Sequence, residues 1–419
     1  MRQMKNWFTT ANKPAAIVLV LLFVLAVYLR FDFLTSVTHK TTHDTIHYDA
    51  MVRQLLEKGV YGYKSEEPNA QVTPGYPLFM AAVYKLVDYK RHDPFPTIRY
   101  LQAFMSIATM YAAYRIARRL GGMSAGLATA ALMAVYPPFV WATGAVLTET
   151  LAALLFTLYL WLQLIAFDRK TALASMLAGA CLGLTVLVRP EFLLLLGVSY
   201  AFFWLLRRET LTALKLFGFA ALGAAIVLSP WVARNVATLH EPIVASTQVN
   251  PFAAGTYPNK NYDDGLVDRH GKTQMEVAKE RLRIGFTEHT WTYTKWYTVG
   301  KLRNIYAKMF FGSGHSPLYP VIPSPLRQPL HLAIVFGGLL ACALLARNWR
   351  QPGTLIAVLL IFISVTRLAF VPEYRYNFTA MPMLIVLVGL LAAWVLAWSA
   401  KRFGWPSASL YPKEANRDA

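Results

Sequence analysis

The sequence predicts an all-α polytopic membrane protein of about ten transmembrane helices, on three observations. Of 419 residues, 56% are hydrophobic and only 15% charged, with a mean hydropathy of +0.38. Apolar runs of membrane-crossing length recur along the chain, and basic clusters fall at alternate ends of those runs. An ordinary globular domain carries about 25% charged residues, so this composition excludes disorder, collagen and coiled coil. A span needs about 20 mostly apolar residues to cross about 30 Å of hydrocarbon, and ten of them account for near half of this chain.

Taken in order, the spans fall near 14–34, 97–118, 123–143, 148–167, 172–188, 191–206, 213–231, 329–346, 353–371 and 378–398. Arg2, Lys5 and Lys13 precede the first; Arg115, Arg118 and Arg119 close the second; Arg169 and Lys170 follow the fourth. Arg207, Arg208 and Lys215 follow the sixth, Arg347 and Arg350 the eighth, Lys401 and Arg402 the last. Every cluster lands on one side, which the positive-inside rule makes cytoplasmic, so both termini are expected there. The N-terminal basic residues before Pro14–Tyr28 are signal-like, but no small-residue cleavage site follows, and the first span is expected to be retained.

Two long segments are then extracytoplasmic. The first, 35–96, holds an amphipathic stretch (His47–Lys58), the turn-rich Thr73-Pro74-Gly75-Tyr76-Pro77 and an apolar stretch (Leu78–Val87). The second, 232–328, holds a helix-like Met275–Leu282, followed by Trp291, Tyr293, Trp296, Tyr297, Tyr306 and Phe310 mixed with Lys295, Lys301, Arg303 and Lys308. That mixture suits either a helix lying among lipid headgroups or a small packed subdomain. The last three spans occupy 329–400, and 401–419 forms a cytoplasmic tail, disordered from Ser407. Cys181 and Cys342 both sit in apolar runs and read as buried small hydrophobes rather than a disulfide. The formal charge of +19 belongs to the loop clusters, so no nucleic-acid partner is implied.

Ionisable groups close to a membrane are costly and therefore informative. Asp44, Asp49, Glu149, Arg189, Glu191, Arg234, Glu373 and Arg375 all collect at the outer ends of spans. Acids and arginines converging on one membrane face suit an anionic, lipid-linked substrate, because a guanidinium pairs with phosphate and a carboxylate serves as base or metal ligand. Each has a plainer reading: Glu149 as a helix N-terminal carboxylate, Arg189 as a snorkelling cation, Glu191 and Glu373 as partners of neighbouring arginines. His39, His43 and His47 recur every four residues, a rival zinc site, but Lys40-Thr41-Thr42 is a poor helix former and three neutral loop histidines are the expectation.

Five motifs follow one another along the chain: Asp44-Thr-Ile-His-Tyr48 with Gly59 and Thr73-Pro-Gly-Tyr-Pro77, Leu147-Thr-Glu149-Thr, Val188-Arg-Pro-Glu191, Pro230-Trp-Val-Ala-Arg234-Asn235 and Glu373-Tyr-Arg375-Tyr376 followed by Pro382. In series they resemble the GT-C glycosyltransferases, in particular the bacterial protein-mannosyltransferase-like and aminoarabinose-transferase-like group of glycosyltransferase family 39. The resemblance runs in order over 14–398 and implies a GT-C-type bundle whose N-terminal part, 1–231, is the catalytic module. It further implies inverting transfer of one sugar from a polyprenyl-phosphate donor to an acceptor hydroxyl of a protein, lipid or cell-wall polymer, outside the cell membrane. Asp44 then matches the family's catalytic acid of the first outer loop, acting as general base. Glu149 is expected as a second catalytic or metal-binding carboxylate, and Arg189, Arg234, Arg375, Tyr48, Tyr76 and Tyr376 are expected to bind substrate and phosphate. A divalent cation, Mg or Mn, would sit on Asp44 and Glu149, although Thr45 stands where many relatives carry a second adjacent acid. The alternatives are a ligase or polymerase using a lipid-diphosphate oligosaccharide, and a transporter of lipid-linked sugar; apolar mid-sections of spans one, four, five and ten speak against the transporter.

Overall fold

The computed structural model describes residues 13–311 and 322–403, so Arg2, Lys5 and the tail from Ser407 lie outside the described residues. All regular secondary structure among the described residues is helical. Six helices are long and apolar enough to cross a membrane, or seven if one bent pair counts as a span. This is a multi-pass membrane protein, but length and composition do not reproduce the expected count of ten. Two reasons are visible: Ala172–Val188 and Thr354–Ala369 are apolar but short, and two expected spans are merged into one helical stretch.

That stretch begins a series that positions everything else. Helix α1 (Lys13–Ser36) crosses first; α2 (His43–Lys58) and α3 (Gly75–Leu86) lie in the loop that follows. Helix α4 (Phe95–Val135) is interrupted at Gly122, whose φ of 82° and ψ of −170° a side chain would disfavour. There the chain doubles back. Gly126 on the second arm packs on Tyr114 and Arg118 of the first, and further along Gln102 Nε2 reaches Thr143 O and Ala145 O at 3.0 and 2.8 Å and Ser106 Oγ reaches Phe139 O at 3.1 Å, so the chain after Gly122 runs back antiparallel to the first arm. The second arm stops before Pro137-Pro138, which lack the N–H groups to extend its ladder, and α5 (Pro137–Gly144) leaves at 48° to it.

In hydrocarbon every backbone polar group needs an internal partner, and a broken helix exposes its last four carbonyls. Arg30, 0% exposed, answers this: its guanidinium donates to Met133 O (3.0 Å) and Ala134 O (3.1 Å) at the end of the second arm, and to Ser106 Oγ (2.9 Å) on the first. Gln102 does the same for α5.

Helices α6 (Glu149–Arg169), α7 (Ala172–Val188), α8 (Leu195–Arg207) and α9 (Thr210–Leu239) follow. The α7–α9 crossing is close because Gly179 and Gly223 each face a backbone carbonyl of the other helix, Ala220 O and Met176 O, with no room for a Cβ. After it come α10 (Asn250–Gly255), α11 (Gln274–Thr287), α12 (Thr290–Lys295) and α13 (Lys301–Tyr306). Helix α11 opens on a capping box: Thr273 N donates to Glu276 Oε2 at 2.8 Å while Glu276 N donates to Thr273 Oγ1. The chain closes with α14 (Ser324–Arg347), α15 (Thr354–Thr366) and α16 (Asn377–Phe403). One large apolar core joins α1, α4, α6, α14 and α16.

Candidate active site

The turn between α5 and α6 is where the candidate residues meet. Thr42 caps α2 and, three residues on, Thr45 Oγ1 donates to Val146 O at 3.0 Å, which seats the first turn of α2 beside the start of α6. Asp44 and Glu149 are thereby brought to the same place from 35–96 and from the membrane bundle.

Arg375 joins them. It comes from a short 3₁₀ turn, Tyr374–Tyr376, that leads into α16. Its Nη1 donates to Asp44 Oδ2, its Nε to Glu149 Oε1, and its Nη2 to Glu149 Oε2 at 3.2 Å. Arg189, at the end of α7, donates from Nη2 to Glu149 Oε1 at 2.8 Å and to Thr148 Oγ1 at 3.3 Å. Glu149 is 1% exposed; its burial is tolerable only because two guanidinium groups share it. Burial disfavours the charge on Asp44, but the Arg375 charge and hydrogen bond outweigh it and hold the carboxyl below its ordinary 3.8. Arg189 Nε is buried and has no hydrogen-bond partner among the described residues.

The two arginines of this cluster, rather than its carboxylates, border a cavity of about 450 Å³ lined by Arg189, Arg375, Glu191, Thr148, Tyr48 and Tyr376, among others. Burial raises the Tyr48 phenol well above its ordinary value, so its hydroxyl remains a donor. Glu191, also on the cavity wall, pairs with Arg367 Nη2 at 2.7 Å. Arg367 was not anticipated from sequence, although a lone cation inside the apolar run 353–371 is itself the signal.

The remaining expected residues point elsewhere. Arg234 stacks over Tyr61 and Trp231 and donates to Tyr61 O (2.9 Å) and Asn69 O (3.0 Å), fastening the loop after α2. Tyr76 is fully buried, its hydroxyl on Gln102 Oε1 at 3.1 Å. Asp49 binds Tyr84 and Arg53; Glu373 binds Lys260, although it also lines the cavity beside Arg375. The rings of His43 and His47 touch, but His39 turns to Phe33 and Leu34 O. Among the described residues, no three His, Cys, Asp or Glu side chains form a metal-holding group.

The sequence profile of the family described as dolichyl-phosphate-mannose-protein mannosyltransferase matches residues 71–233, the stretch that holds Glu149 and Arg189. No curated protein matches the chain by sequence. Among solved structures, the chain is similar to the oligosaccharyltransferase of Archaeoglobus fulgidus in several forms. The form tethered to an acceptor peptide superposes with a TM-score of 0.59 at 14% identity, over 96% of this chain and 52% of that one. The apo form gives 0.58 at 13%, over 97% and 53%, and the complex with an inhibitory peptide and a dolichol-phosphate gives 0.57 at 13%, over 95% and 52%. The chain spans about half the length of that enzyme. The chain thus shares the fold of the matched half of that oligosaccharyltransferase.

Proposed function

We propose that the protein is a membrane glycosyltransferase that takes a saccharide from a polyprenyl-phosphate or polyprenyl-diphosphate carrier and passes it to an acceptor hydroxyl at the extracytoplasmic face. One observation carries the reading: Arg375, which with Arg189 lines a sugar-sized cavity, gathers Asp44 and Glu149. The family match over 71–233 and the fold support it.

The leaving group is a phosphate, which departs without a general acid but requires positive charge to hold the developing anion. Arg375 and Arg189, the latter with a spare Nε–H, supply that charge. The acceptor hydroxyl attacks the anomeric carbon as the bond from that carbon to the phosphate oxygen breaks; its proton passes to Asp44 and the electron pair leaves with the phosphate. One displacement with one base inverts the anomeric centre, and no second nucleophilic carboxylate is needed. Donor binding also prepares the base: the guanidinium that suppresses the basicity of Asp44 is the one a phosphate recruits. A divalent cation would be held by Asp44 and Glu149 together with the donor phosphate, as Mg²⁺ commonly is, and would supply further neutralisation of the leaving group.

Two donors fit. The sequence motifs favour a single sugar on a monophosphate, whereas similarity to an oligosaccharyltransferase favours the alternative, an oligosaccharide on a diphosphate, and the fold evidence leans to the latter. The expected topology completes the reading: with both arms of α4 and the two short helices crossing, ten spans leave both termini cytoplasmic and the cluster outside.

The test is transfer of radiolabelled saccharide from a panel of polyprenyl-monophosphate and -diphosphate donors in membranes with and without the protein. Release of polyprenyl phosphate identifies the first donor class and of polyprenyl diphosphate the second. No transfer from either class overturns the reading.

A further inference from the structure

A second and larger cavity, about 1140 Å³, lies in the 258–311 region. Four cations line it, Lys260, Lys295, Arg303 and Lys308, together with Trp291 and Trp296, and among the described residues no carboxylate does. Lys260 is paired with Glu373 at 2.6 Å; among the described residues Lys295, Arg303 and Lys308 make no ion pair. Gathering like charges round one hollow is unfavourable unless something negative enters it.

The backbone along this lining departs from a regular α-helix. From the wall, two rows can be read: 291, 295, 299, 303, 307 and 292, 296, 300, 304, 308, each spaced by four. In a regular α-helix a four-residue step drifts by about 40°, so over four steps the last residue would leave the face. Between α12 and α13, however, Trp296–Gly300 forms a π-turn, whose wider winding offsets part of that drift, and both rows stay on the cavity. Trp296 is locked as the floor by Nε1 donating to Gly255 O at 3.0 Å, while Trp291 stands 77% exposed at the mouth. An aromatic face suits the C–H face of a sugar ring, and the cations suit phosphate or carboxylate on it.

The cavity adjoins the reacting cluster. Along one strand of chain, Pro372 and Tyr374 face this hollow while Glu373 and Arg375 face the other, and the Lys260–Glu373 pair bridges the two. We propose that this cavity is the acceptor site and that the acceptor is an anionic, phosphate- or carboxylate-bearing saccharide. The assignment as acceptor rests on the transferase reading above; the charge-selective binding does not.

The test uses the full chain in neutral phosphatidylcholine nanodiscs, with maltose 1-phosphate and maltose as probes in a calorimetric titration. Maltose 1-phosphate binds the wild type, maltose at least tenfold more weakly, and the double variant Lys295→Gln/Arg303→Gln binds the phosphate at least tenfold more weakly than wild type. Polyprenyl-phosphate binding by the double variant stays within twofold, which also shows that it is folded. Equal affinity for the two sugars, or equal affinity in wild type and double variant, overturns the proposal. So does complete displacement of the sugar phosphate when phosphatidylglycerol replaces part of the disc lipid, which assigns the cavity to a lipid headgroup. Charge-selective binding without any transfer activity sinks the transferase reading alone; transfer without charge-selective binding sinks this one alone.

Discussion

Arg375 is the residue on which the candidate site turns, because it alone touches both carboxylates. A lysine there offers one ammonium where three N–H contacts are made, and cannot match the planar fork. Arg375→Lys is expected to lower kcat by about 10²-fold, the usual cost of removing one preorganised donor, with insertion unchanged; a rate within twofold of wild type would place the leaving phosphate elsewhere. Asp44→Asn is expected to abolish transfer. Since Asp44 titrates below its ordinary 3.8, it stays ionised through neutrality and its contribution is lost only as pH falls through that depressed value. The acid limb of kcat/KM assignable to Asp44 therefore lies below about pH 4, and a limb near pH 6 that vanishes in Asp44→Asn would contradict the assignment of its environment. Much of this was legible in the sequence: Asp44, Glu149, Arg189 and Arg375 were each marked by charge at a span end. Their pairing was not, because Arg375 is 331 residues from Asp44 and 226 from Glu149. Arg234 and Tyr76 show the converse. They lie in the same motifs, yet backbone carbonyls and Gln102 claim their polar atoms, and nothing in a linear pattern distinguishes a guanidinium facing a loop from one facing a cavity.

At the scale of elements, the site depends on a break in the membrane-embedded helix that ends ahead of Glu149. Arg30 closes that break, so Arg30→Ala leaves the Met133 and Ala134 carbonyls and Ser106 without their donor. Leaving buried groups unsatisfied costs about 1–3 kcal/mol each, and the thermal midpoint in detergent is expected to fall by several degrees, with Arg30→Lys recovering part of it; an unchanged midpoint would mean water takes the place of the guanidinium. The outer segment carries its own constraint. Lys301 at the start of α13 is fully buried, donates to Leu368 O at 2.6 Å beside Arg367, and stacks on Tyr297. Burial lowers its amine to about 7 from 10.5, so between those values the unfolded chain binds a proton the folded one lacks. Stability must rise with pH across that window. Lys301→Met is expected to remove this part of the slope between pH 7 and 10, read as the difference in midpoint between variant and wild type; parallel profiles would show that the amine is charged in the fold. Sequence reading placed 275–282 as helix and 291–310 as aromatic and basic, but left open whether that stretch packs or lies on lipid. The buried Tyr293, Trp296 and Lys301 place it against the protein, a fact set by tertiary contacts with Gly255 and Leu368 that no local pattern encodes.

For the whole molecule, the decisive property is which side of the membrane holds the carboxylates. The loop charges argue for the outside, because every basic cluster then shares the other face. The helices alone do not fix it: α4 doubles back at Gly122, and two apolar helices are shorter than a full crossing. Hydropathy sees composition but neither the reversal nor the depth of a helix, which is why the span count was less legible than the individual helices. The native thiols make a clean experiment possible, since Cys181 and Cys342 are both buried. His270 is exposed in the 232–328 segment, and Arg350 is exposed in the turn between α14 and α15, one crossing away. In intact cells a membrane-impermeant maleimide is expected to label His270→Cys and to reach Arg350→Cys only after permeabilisation. Labelling of both without permeabilisation would mean that α14 does not cross. The reverse pattern would turn Asp44, Glu149 and Arg375 toward the cytoplasm, where the positive-inside argument and the proposed chemistry would fail together.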